Sequence, residues 1–166
     1  MKYRKLPTED ETRSALAWLV VLIDKASCPY QIVGGLAAKA YGSMRPLVDI
    51  DLYVPGKCLE KLSALAGSYL LHPPTYHKDD AWDLTYTSVM YGNQKIEIAS
   101  SDNAKIFNRL FRKWEVQLID YQLSNRSQLF DTELFIMPLD QLLAYKSMLG
   151  RDVDLEDIKD ITGQSM

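Results

Sequence analysis

The run Val48, Asp49, Ile50, Asp51, Leu52, Tyr53, Val54 constrains this chain more than any other segment. Apolar and polar residues alternate with the two-residue period of a β-strand. Val48, Ile50, Leu52 and Val54 therefore turn to one face and Asp49, Asp51 and Tyr53 to the other. A strand with one bulky apolar face must pack against a core, which leaves both carboxylates together on the opposite face, roughly 6–7 Å apart along the axis. Without a cation, a polar partner or water, such a pair carries repulsion and desolvation costs. Taken alone it fits two descriptions: the solvated face of an edge strand, or two ligands converging on a cation.

The rest of the chain narrows the setting. At 166 residues, 47% hydrophobic and 25% charged, it is long enough for one domain with a substantial core. The formal charge of −3 and the lack of Lys/Arg clustering argue against a duplex nucleic-acid partner. Arg109, Arg112 and Lys113 are the densest basic group and fit a helix end. Cys28 and Cys58 are too few and too differently placed for a disulfide scaffold or a CxxC metal site, so a reducing, cytoplasmic setting is expected. No signal peptide and no apolar stretch of transmembrane length is recognised, and no membrane partner is expected.

Read in order, Thr8 and Glu11 have capping-box spacing and open a packing helix that runs to Ala26. A short strand over 30–33 leads into Gly34 and Gly35 and a helix beginning at Leu36, which brings backbone N–H groups to a helix start and suggests a phosphate seat. After the Asp-bearing strand, a helix is expected over 57–66, a short strand over 69–71, and a loop over 72–80 that borders a substrate site. His72 and His77 fall in that loop and are read as ordinary loop histidines. Strands over 82–90 and 94–99 form a hairpin through residues 91–94 and place Glu97 beside Lys95 on one face. A helix is expected over 103–112, then strands over 116–121 and 129–136 joined through 124–127. Two C-terminal helices follow, over 139–149 and from about 154 to 162. The expected fold is a mixed α/β (α+β) domain: a core over residues 1–137 and a helical extension over 138–166 covering the sheet.

Hard oxygen donors from Asp49, Asp51 and Glu97 suit magnesium, and the glycine pair suits a triphosphate. The order of these features points to phosphoryl or nucleotidyl transfer, with Glu97 near the acceptor hydroxyl as metal ligand and general base.

A glycine pair opening a helix, an Asp-apolar-Asp strand and a later acidic strand residue resemble the DNA polymerase beta-like nucleotidyltransferase superfamily, especially its small bacterial and antibiotic nucleotidyltransferase members. Here these are Gly34 and Gly35, Asp49-Ile50-Asp51, and Glu97. Leu36 stands where many relatives have serine. The resemblance implies Asp49, Asp51 and Glu97 as metal ligands and catalytic acids. It also implies Gly34, Gly35 and Arg45 at the nucleotide, with Lys146 and Arg151 near phosphate and Asp154 and Asp157 fixing those basic residues or the helix junction. It implies magnesium, an NTP co-substrate with ATP as the default, and a hydroxyl-bearing acceptor, a small molecule in preference to a macromolecule. Two other functions remain in view: a catalytically inactive nucleotide-binding or interaction module, and a metal-dependent nuclease. The order Lys95, Ile96, Glu97 and the absence of a basic track weigh against the nuclease.

Overall fold

The computed structural model describes residues 4–163. Helix α1 (Glu9–Ala26) starts on the expected capping box: Thr8 Oγ1 accepts from Glu11 N–H, and the Glu11 carboxylate accepts from Thr8 N–H. Its buried stripe includes Leu16, Leu19 and Ile23, and Ser27 ends it in the left-handed conformation. Strand β1 (Gln31–Val33), helix α2 (Gly34–Ala40) and strand β2 (Asp49–Val54) follow. Ile50, Leu52 and Val54 are buried as the alternation requires, whereas Val48 precedes the strand and is exposed.

Helix α3 (Gly56–Ala66) packs against α1, and here one expectation fails. Cys28, just beyond the end of α1, and Cys58, in the first turn of α3, form a disulfide with their Cα atoms 6.0 Å apart. Their sequence separation of 30 concealed a contact that exists only because the two helices meet. The cysteine argument for a reducing compartment falls with it.

The segment over 72–80 is strand rather than loop. Strand β3 (Leu70–Lys78) pairs antiparallel with β4 (Trp82–Tyr91), and its register shifts between His72 and Thr75. Pro73 and Pro74, which read as loop residues, sit at that irregularity, on a strand that pairs only with β4 among the described residues. Strand β5 (Gln94–Ser100) completes the expected hairpin with β4 and also runs parallel to β2.

The helix expected over 103–112 is instead a hairpin of β6 (Lys105–Asn108) and β7 (Lys113–Val116). Alternation decides it. Ile106 and Asn108 are buried, while Leu110 and Phe111, the expected apolar helix face, are exposed in the turn. Asn108 Oδ1 accepts from the N–H groups of Leu110 and Phe111, an Asx-type turn that competes with helix. Beyond Val116 the chain is irregular to a single 3-10 turn at Tyr121–Leu123, so no strand reaches residue 121. Strands β8 (Asn125–Leu129) and β9 (Thr132–Ile136) reverse at Phe130 and Asp131, both with positive φ, so residues 125–127 are strand rather than connection.

The strands form one mixed sheet in the order β7-β6-β4-β5-β2-β1-β9-β8, with β3 on β4. Helix α4 (Leu139–Leu149) packs on α5, α2 and β6. Helix α5 (Asp152–Thr162) starts two residues before its expected position because Arg151, not Asp154, is its N-cap and Asp154 stands at N3. None of the described helices is long and apolar enough to cross a membrane.

Candidate active site

Strand β2 carries the two aspartates between β1 and β5. Parallel pairing with β5 sets Asp49 opposite Lys95 and Asp51 opposite Glu97. Residues opposite one another on adjacent strands project to the same face, so the sheet delivers Glu97 beside the pair identified from the sequence. On the other side, β1 sets Val33 opposite Asp51, and the chain turns into α2 at Gly34 with φ +63°. A Cβ at Gly34 would lie 2.8 Å from Asp51 Oδ2, so the glycine lets backbone pass directly against that carboxylate. Gly35 faces Arg45 instead: a Cβ there would lie 3.3 Å from Arg45 Nη2.

The three carboxylates differ in their partners. Asp49 Oδ1 accepts from Arg4 Nη2 at 3.0 Å. Glu97 Oε1 is 2.6 Å from Lys95 Nζ. Among the described residues none donates a hydrogen bond to the Asp51 carboxylate. Burial, the Glu97 charge and the Asp49 charge together push its pKa from 3.8 up to about 7, with Arg151 and Lys146 pulling the other way. Three His, Cys, Asp or Glu side chains gathered tightly enough to hold a metal ion are not found among the described residues. The outer two acids are drawn toward their own bases. Yet the donor set fits a hard divalent cation. Asp51 presents its carboxylate to the cleft with no hydrogen-bond donor among the described residues, and its charge is disfavoured by the acids beside it until a cation approaches.

Above these acids lies a cleft of about 380 Å³. Asp49, Asp51, Tyr53, Glu97 and Ala99 line it from β2 and β5, His77, Asp79, Trp82, Leu84 and Tyr86 from the β3–β4 hairpin, and Tyr145 and Arg151 from the C-terminal helices. His77 Nε2 is 2.8 Å from Asp79 Oδ2, and Asp79 Oδ1 accepts from the N–H groups of Ala81 and Trp82. Trp82 Nε1 donates to the Tyr145 hydroxyl at 3.4 Å, and burial pushes the Tyr145 pKa up, keeping that hydroxyl neutral.

The expected nucleotide-binding residues divide. Gly34 and Arg151 line the cleft, whereas Gly35, Arg45 and Lys146 do not. Arg45 is bidentate to Asp157, through Nε at 3.1 Å and Nη2 at 2.9 Å. Lys146, only 1% exposed, pairs with Asp157 at 2.8 Å and Asp154 at 3.3 Å. Arg151 is held by Asp154 through Nε at 2.6 Å and Nη2 at 3.0 Å, and its guanidinium lies 4.7 Å from the Trp82 ring. Asp154 and Asp157 thus fix the basic residues, as the resemblance implies. Lys146, outside the cleft lining, still favours the ionised form of Asp51 through its charge. The aromatic wall went unnoticed in the sequence, although Trp82, Leu84 and Tyr86 recur at the two-residue period of a strand face. His77, read as an ordinary loop residue, belongs to the cleft lining.

No family model matches the chain, and no curated protein matches it in sequence. Solved structures do match its fold. A Thermotoga maritima protein, TM1012, provisionally assigned as a nucleotidyltransferase, superposes with a TM-score of 0.66 at 12% identity, over 92% of this chain and 94% of that one. The lincosamide antibiotic adenylyltransferase LnuA, solved with lincomycin bound, gives 0.61 at 15% identity over 97% of this chain and 100% of that one. ANT(2")-Ia in complex with adenylyl-2"-tobramycin gives 0.60 at 12% identity, over 92% of this chain and 88% of that one. With its mixed sheet and flanking helices, this chain has the nucleotidyltransferase fold, in the form also taken by small antibiotic nucleotidyltransferases.

Proposed function

We propose that the protein transfers a nucleoside monophosphate from an NTP to a hydroxyl of a small-molecule acceptor, in a magnesium-dependent reaction that releases pyrophosphate. The observation that carries this reading is the alignment of Asp51 with Glu97 across β2 and β5, with Asp49 on the same strand face, beneath a cleft of about 380 Å³. Asp49 and Asp51 would hold magnesium, with Glu97 as the third acid. Bound there, magnesium would neutralise phosphate charge and assist departure of pyrophosphate.

The chain's own groups supply the rest. Gly34 lets backbone approach phosphate beside Asp51, and Arg151 presents a cation from the opposite wall. The acceptor oxygen forms a bond to the α-phosphorus as the bond from that phosphorus to the pyrophosphate oxygen breaks, and Glu97 takes the hydroxyl proton. Trp82, Leu84 and Tyr86 offer an apolar wall for the acceptor or the base. ATP is the default nucleotide, and the adenylyl products and activities in the names of the similar structures support it.

A second reading, an inactive nucleotide-binding or interaction module, draws support from the two ion pairs, which tie Asp49 to Arg4 and Glu97 to Lys95. Incubation with magnesium, individual NTPs and a mixture of hydroxyl-bearing acceptors, reading both pyrophosphate and acceptor mass, separates the two. Transfer should appear with the wild type and vanish with Asp51→Asn. Turnover retained by folded Asp51→Asn would remove that residue from the chemistry, and nucleotide binding without any transfer by the wild type would favour the module.

A further inference from the structure

The two bases beside the acids are not equivalent. Arg4 lies on the exposed N-terminal segment ahead of α1, outside any regular element, and its guanidinium meets Asp49 at 3.0 Å and the Val48 carbonyl at 3.2 Å. Lys95 is built into β5, a strand paired on both edges, with β4 on one side and β2 on the other. On β5, Gln94, Ile96, Ile98 and Ser100 are buried beneath the sheet, so alternation turns Lys95 and Glu97 to the face that carries the cleft. Register puts Lys95 opposite Asp49, and its ammonium lies 2.6 Å from Glu97 Oε1. A divalent cation can displace Arg4 by swinging an exposed segment aside. To displace Lys95 it would have to strip the ammonium from a carboxylate on the same strand, two residues away.

Resting on the transfer reading above, we infer that Lys95 is a positioning residue whose ammonium occupies the place beside Glu97 where a second divalent cation would otherwise bind. The protein then works with a single divalent ion, between Asp49 and Asp51, while the ammonium of Lys95 compensates Glu97. Charge supports this arrangement. Before a nucleotide enters, Asp49, Asp51 and Glu97 carry three negative charges when ionised and Lys95 returns one, which leaves on these four side chains the charge of one divalent ion. Lys95→Met removes the ammonium while keeping much of its apolar stem, and opens Glu97 to a second ion.

The test counts protein-bound manganese per chain by equilibrium dialysis with a saturating non-hydrolysable ATP analogue, corrected for manganese carried by free analogue. One ion is expected for the wild type, one for Lys95→Arg, and two for Lys95→Met. Arg4→Ala should keep one and bind it several-fold more tightly. Two ions in the wild type, or one in Lys95→Met at unchanged affinity, overturns the inference while leaving the transfer reading intact. No manganese on any variant, with folding verified by circular dichroism, overturns the metal-dependent reading and the inference together.

Discussion

Replacing Asp51 by Asn should stabilise the metal-free protein, and should do so only above a defined pH. Burial, and then the charges of Glu97 and Asp49, raise the Asp51 pKa from 3.8 to about 7. The folded protein therefore holds that proton more tightly than the unfolded chain does. Stability from this group is fully present below pH 3.8, is lost as pH rises from there to about 7, and is flat above. A shift of about three units at about 1.4 kcal/mol each corresponds to about 4 kcal/mol of instability in the ionised, cation-free state. Asn is nearly isosteric with the protonated acid and cannot ionise, so Asp51→Asn escapes the loss. In a domain of this size that corresponds to a melting temperature about 10 °C above wild type. The measurement is thermal or urea unfolding of both proteins in chelator at pH 5 and pH 8. The stability gap should widen by several kcal/mol at the higher pH, and comparing the two proteins cancels the groups they share. Magnesium or manganese should close the gap at pH 8 by stabilising the wild type alone. An equal gap at both pH values, or a less stable Asn variant at pH 8, would refute the account of Asp51 as a carboxylate held in an unfavourable, cation-seeking place.

Other elements respond in their own ways. Lys146→Met leaves the fully buried Asp154 and Asp157 without their shared ammonium, and should cost about 3–5 kcal/mol in urea unfolding. Gly34→Ala forces an alanine to φ +63° with its Cβ 2.8 Å from Asp51 Oδ2. It should cost about 1–3 kcal/mol and abolish transfer, whereas Gly42→Ala, with open space around its Cβ, should be strained without loss of transfer. Reducing the Cys28–Cys58 disulfide, which closes a loop with a sequence separation of 30, should lower stability by about 3–4 kcal/mol, read as a drop in melting temperature on adding a reductant. No thiol should react with a labelling reagent in the unreduced, folded chain. Arg151→Ala should raise KM for the NTP more than it lowers kcat if the guanidinium over Trp82 meets phosphate, and a pure fall in stability with unchanged KM would assign it to the Asp154 contact alone.

Local patterns in the chain were sufficient wherever one short segment carried its own instruction. The Thr8–Glu11 capping box sets the start of α1, because both partners lie within four residues. Alternation from Ile50 to Val54 sets β2 and commits Asp49 and Asp51 to one face, because a strand has no other way to bury its apolar side. Asp49, Asp51 and Glu97 could be nominated from residue type and order. The failures arose where local cues conflicted. Residues 103–112 have helix-like apolar spacing, but Ile106 and Asn108 are buried through a strand pairing that needs β4 beside it, and Asn108 turns the chain with its own side chain. Residues 72–78 look like loop because prolines remove donors, and they remain strand because β3 occupies an edge where missing donors cost little.

Only the tertiary structure could decide which distant residues share a place. Parallel pairing across a separation of more than 40 residues sets Asp51 opposite Glu97, and helix packing brings Cys28 to Cys58. The same packing gives Arg45 and Lys146 to Asp157 in place of the cleft, and leaves Arg151 at its wall. A strand's face is dictated by its own alternation. A strand's neighbour, and therefore the charge beside each carboxylate, depends on the register of the whole sheet. Alternation within one strand is enough to put two aspartates on its polar face, whereas sheet register and helix packing leave Asp51, unlike Asp49 and Glu97, with no ion-pair partner among the described residues.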